Sequence, residues 1–141
     1  MAVDVAMIPA AKPSIGVDEQ AAVQRVMESG MLAGGPEVAA FEKEFSAVVA
    51  GRECIAVNSG TSALHMAFLA GGIGAGDEVI VPSFTFAATA NSVALAGGTP
   101  VFADVEADYF CLDPASVEAS ITPRTKAIMP VHLYGHPAAM R

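Results

Sequence analysis

At 141 residues the chain is long enough for one domain with a sizeable core, since a domain of this size buries roughly two thirds of its unfolded surface. Seven basic against fifteen acidic side chains give a formal charge of -8, which disfavours nucleic acid and anionic membranes as partners. Apolar residues make up 53% and charged residues 16%, so much of the polypeptide must be buried.

The N-terminal stretch reads as an extended arm ending in Lys12-Pro13 and Gly16. It has Asp4 where a signal peptide would carry positive charge and no apolar core before Pro9, so a cytoplasmic protein is expected. From Asp18 to Ser29 the spacing predicts a helix, with Asp18 and Glu19 at the positive end of its dipole and Gly30 as its stop. Met31 to Gly35 form a loop. Pro36 then suits a first-turn position, and Val38, Phe41, Phe45, Val48 and Val49 recur at helical spacing up to Gly51.

Beyond Gly51 short apolar runs alternate with helical stretches. Cys54–Val57 reads as a first strand, Thr61–Ala70 as a helix and Glu78–Val81 as a second strand. Phe86–Ala96 reads as a helix, Val101–Ala103 as a third strand, Asp113-Pro114 as the cap of a helix to Ser120, and Ala127–Val131 as a fourth strand. The charge-free run Val79–Ala103 exceeds the ~20 residues needed to cross a bilayer. Its prolines, Gly97-Gly98 and many hydroxyls fit a buried strand-helix-strand unit instead. Repeated β-α-β order with apolar strands makes the fold class α/β, with a parallel sheet covered on both faces. A sheet ending soon after the fourth strand would leave an open edge and face, so further covering protein is expected.

Asn58-Ser59-Gly60-Thr61-Ser62 lies between a strand and a helix start. Small residues there let a ligand approach the backbone, and unpaired N–H groups with the helix dipole favour an anion such as phosphate. A capped helix with nothing bound satisfies the same spacing. GxxxxGK[ST] is absent, and the glycines of 71–76 neither follow a strand nor match GxGxxG, which argues against nucleotide-triphosphate and dinucleotide sites. Pro82-Ser83-Phe84-Thr85-Phe86 follows the second strand, where ligands of open α/β sheets bind. Phe84 and Phe86 cannot both face the same way, so one is available to a planar ligand. Cys54 and Cys111 are expected as free thiols, and no metal site is expected from His65, His132 and His136. Asp104 and Glu106 read as a strand-end turn, and Lys12, Lys43 and Lys126 as solvated side chains.

Six blocks in order resemble the DegT/StrS-type sugar aminotransferases, pyridoxal-phosphate (PLP) enzymes of fold type I. They are residues 9–13, 29–36, Ser59-Gly60-Thr61-Ser62-Ala63-Leu64-His65, 74–86, 100–104 and Val131-His132-Leu133-Tyr134-Gly135. The resemblance implies an arm, helix and loop over 1–35, and over 36–141 the first part of the PLP-binding large domain, truncated. It implies that Gly60, Thr61 and Ser62 hold the cofactor phosphate and that Phe86 stacks on the pyridine ring. It also implies that the Schiff-base lysine lies beyond Arg141, so no catalytic residue is assigned here. The implied activity is amination of a nucleotide-linked keto sugar by a homodimer, with glutamate as donor. The segment alone is expected to be inactive. A non-catalytic binding or regulatory relative, or a PLP-dependent sugar dehydratase of the same fold, shares every visible residue.

Overall fold

The computed structural model describes residue 9 and residues 11–140. Of the arm expected up to Gly16, residues 1–8 and 10 lie outside the described residues. Residues up to Ala56 form one compact unit and those from Val57 onward a second.

In the first unit, α1 spans Val17–Ser29. The Glu19 carboxylate accepts a hydrogen bond from Gly16 N–H at 2.6 Å, closing the first turn. That bond, then its own backbone N–H, holds Glu19 below the usual carboxylate range. Gly30 ends the helix at φ 71°, a left-handed conformation that glycine adopts without a Cβ clash. Helix α2 spans Pro36–Val48, with Pro36 at a position whose N–H would have no helical partner. Glu42 on α2 accepts from Ala56 N–H at 2.8 Å and ties the end of the unit back to the helix.

The run Cys54–Val57, expected as the first strand, has no strand partner among the described residues, and Ile55 is 82% exposed. An apolar run supplies the faces of a strand, but a ladder also needs a neighbouring backbone to pair with. Among the described residues the sheet therefore has three strands rather than the four expected.

The second unit begins with α3, Gly60–Ala70, then β1, Glu78–Pro82. Helix α4, Ala88–Leu95, leads to β2, Thr99–Ala103; helix α5, Pro114–Ser120, leads to β3, Thr125–Ile128. All pairings are parallel in the order β2-β1-β3, with Ile80 opposite Val101 on one side and Ile128 on the other. Strand β3 starts two residues before the expected Ala127. It stops early because Met129 N–H still donates to Ile80 C=O, at 2.8 Å, whereas Pro130 has no N–H to continue the ladder.

The central strand is buried along its whole length. Val79 and Val81 pack with Ile73, Val93 and Ala96, the α4 side. Ile80 points the other way, to Ala103 and Leu112, with Val101 and Val117 alongside. This alternation is the period-two geometry of a strand covered on both faces. The connections agree with it: β1 to β2 and β2 to β3 move in opposite directions across the sheet, so right-handed crossovers put α4 and α5 on opposite faces. Each fully buried Val or Ile contributes about 1.5–3 kcal/mol. At the amino ends of the strands, buried Glu78 accepts from the Thr122 hydroxyl at 2.5 Å and from Arg124 Nε at 2.9 Å. The Thr122 bond first, then Arg124, holds Glu78 below the usual carboxylate range.

Candidate functional site

The strand-to-helix segment 58–62 is organised by its own side chains. Ser59 is the N-cap of α3, with φ -162° and ψ 157°, and its hydroxyl oxygen accepts from Ser62 N–H at 3.1 Å. The Ser59 hydroxyl donates to Ser62 Oγ at 3.0 Å, and Ser62 in turn donates to Asn58 Oδ1 at 2.7 Å. Ala63 N–H donates to Ser59 C=O as the first helical bond. Gly60 and Thr61 N–H find no acceptor among the described residues, and the Thr61 hydroxyl has no partner there either. Two backbone donors and one hydroxyl thus stand free at the positive end of a three-turn helix. A Cβ built on Gly60 would meet no atom within 4 Å beyond its chain neighbours and its own helix backbone, so space beside these donors is open. Donors, dipole and room together suit an oxyanion such as phosphate.

Phe86 lies in the turn between β1 and α4 and is 78% exposed. Phe84 is edge-on to Phe110, with ring centres 5.8 Å apart. Of the two rings, Phe86 is therefore the one free of an aromatic partner. Thr85 and Thr89 share a hydroxyl bond of 3.0 Å, which braces the same turn from within. Gly60, Thr61 and Ser62 come together on the first turn of α3, whereas Phe86 belongs to a separate loop. Helix α3 packs against α4, the helix that follows Phe86.

His132, His136 and Asp104 have structural partners. His132 Nδ1 accepts from Ala138 N–H at 3.0 Å, and His136 stacks on Tyr109 with ring centres 4.4 Å apart. Asp104 accepts from Val105 N–H at 2.8 Å, and its own N–H donates to Ser116, which makes the strand-end turn expected of it. Lys12, Lys43 and Lys126 are exposed, and Cys54 and Cys111 are free. Sequence reasoning gave Asn58 no role. The signal it offered was an amide four residues before a serine at a helix start, a spacing that brings the two side chains together.

Comparison with known proteins decides the family. Residues 13–141 match the model of the DegT/DnrJ/EryC1/StrS aminotransferase family. The chain belongs to that family. It is 48% identical over 133 residues to the spore coat polysaccharide biosynthesis protein SpsC of Bacillus subtilis, covering 94% of this chain and 34% of that protein. Among solved structures it resembles S. venezuelae DesV in complex with a ketimine intermediate, at 50% identity and a TM-score of 0.80, over 86% of this chain and 33% of that one. NtdA of Bacillus subtilis, with bound cofactor PMP, matches at 42% identity and a TM-score of 0.82, over 89% of this chain and 30% of its own. The chain thus spans about a third of the length of the relatives it matches. Fold and family agree with the α/β, fold type I reading of the sequence.

Proposed function

We propose that this segment forms the phosphate end of the PLP site in a sugar aminotransferase acting on a nucleotide-linked keto sugar, with glutamate as amino donor. The observation that carries the reading is the pair of unpartnered N–H groups at Gly60 and Thr61, at a helix start open to ligand. PLP and PMP occupy relatives of this fold, which supports the choice of cofactor. When bound, PLP supplies an electron sink that lets an amino group pass from donor to acceptor.

This chain's own residues would bind and orient. Gly60 and Thr61 would hold the phosphate through backbone N–H groups, with the Thr61 hydroxyl added and Ser62 completing the turn. Phe86 would lie on one face of the pyridine ring and exclude water from it. Lys126 stands near the amino end of β3, opposite the edge where ligands of such sheets bind, which does not suit the catalytic step. In keeping with the family resemblance, the catalytic lysine is taken to come after the block that ends at Gly135, in a cytoplasmic homodimer, and the residues up to Arg141 are given no turnover of their own.

The test is a reaction of the full-length polypeptide with PLP, glutamate and nucleotide-linked keto sugars, followed by mass spectrometry. The sugar carbonyl carbon should gain the amine while glutamate becomes its 2-oxo acid in equal amount. Loss of water from the sugar without glutamate consumption would identify a dehydratase instead.

A further inference from the structure

Ser62 carries a hydroxyl that is already spent. Its oxygen receives the Ser59 proton and its own proton goes to Asn58 Oδ1, while its N–H is taken by Ser59 Oγ. A serine hydroxyl has one proton to give, so this one has none left for a phosphate. The bond to Asn58 reaches from the residue before the N-cap to the third residue of the helix. Between its ends lie the peptide groups of Gly60 and Thr61, whose N–H groups are free. Gly60 has no Cβ to limit its backbone, so the direction of these donors depends on the bracing around them.

We propose that Asn58 is a positioning residue for the phosphate cradle: through its bond to Ser62 it fixes the turn that aims the Gly60 and Thr61 N–H groups. Ser62 is the tie in this arrangement rather than a direct phosphate donor. The inference rests on the PLP reading above, and it assigns Asn58 no contact with the cofactor. Fixing donors before the anion arrives removes an ordering cost from binding, and the benefit falls on the phosphate end alone.

The experiment compares PLP with pyridoxal, which has the same ring and no phosphate, by equilibrium titration of the apo form of the full-length polypeptide. The variants are N58A, S62A and the double variant N58A/S62A, with T61E as a control for the cradle itself. N58A should lower the preference for PLP over pyridoxal about five- to tenfold, the scale of one charge-assisted hydrogen bond held poorly. S62A should do the same, and the double variant should lose no more than either one.

An unchanged preference in N58A beside a reduced one in T61E would overturn the role of Asn58 and leave the cradle standing. Equal weakening of PLP and pyridoxal would show general damage and overturn it too, as would losses that multiply in the double variant. A preference unchanged in T61E as well would remove the cofactor reading and this inference with it. Should N58A prove insoluble, S62A probes the same bond from its other end.

Discussion

Thr61 and Phe86 make different demands on a ligand, and their substitution should separate the two ends of the site. Thr61→Glu places a carboxylate beside the free N–H groups, so phosphate meets repulsion and loses a charge-assisted bond worth about 1.5–3 kcal/mol. Titration of the full-length protein should show PLP binding abolished at ordinary concentrations; an affinity equal to wild type would remove Thr61 from the site. Phe86→Ala should cost about 0.5–1.5 kcal/mol of PLP affinity, with folding stability nearly unchanged because the ring is largely solvent-exposed. A variant that melts several degrees lower and binds normally would mean that the ring serves packing.

The elements carry their own tests. Ile80, fully buried on the α5 side of β1, should lose about 2–5 kcal/mol on substitution by Ala, read from denaturant unfolding. Gly98 is sensitive in the opposite sense. A Cβ there would stand 2.8 Å from Ile73 Cγ2 and 3.2 Å from Val93 Cγ1, both stiff branched side chains. Gly98→Ala should therefore cost about 1–3 kcal/mol by overpacking. At the amino ends of the strands, Glu78 is held below its usual pKa of 4.5 by Thr122 and Arg124. Its contribution to stability is complete above that value and is lost as pH falls through the lower folded value. Melting temperature should drop on acidification below about pH 4.5, and Glu78→Gln should flatten that dependence. An identical acid profile in the variant would assign the loss to other carboxylates.

Most of this level was legible in the sequence, for reasons that particular residues make plain. Gly30 and Pro36 mark helix ends by backbone chemistry that needs no tertiary context. Glu78–Val81 is apolar enough to belong between two layers, and it does. Cys54–Val57 has the same local character but lacks a neighbouring strand among the described residues, and a property that depends on another backbone cannot be read from a run of four residues. The cradle was legible as a segment of small residues at a helix start. Its internal wiring was not, because the choice of Ser62 to donate to Asn58 rather than outward depends on side-chain geometry.

At the scale of the whole molecule, the three strands and five α-helices among the described residues leave much apolar surface exposed. Val48, Ile55, Phe45, Phe102 and Ile128 are all exposed, on both compact units. Phe102 lies in register with Val81 and Ile128 with Ile80, so each face of the sheet carries an exposed apolar side chain that further protein could cover. The full-length polypeptide should sediment as a homodimer, whereas the 141-residue chain alone should show no turnover and a tendency to aggregate. A soluble monomer of the short chain with a sharp cooperative melt would contradict the second expectation. The central claim is that the first turn of α3 holds the cofactor phosphate, and a crystal structure of the full-length protein with PLP tests it most directly. The account predicts phosphate oxygens within hydrogen-bond distance of the Gly60 and Thr61 N–H groups, with the Phe86 ring against the pyridine. A phosphate bound elsewhere, with those N–H groups facing only water, would contradict it.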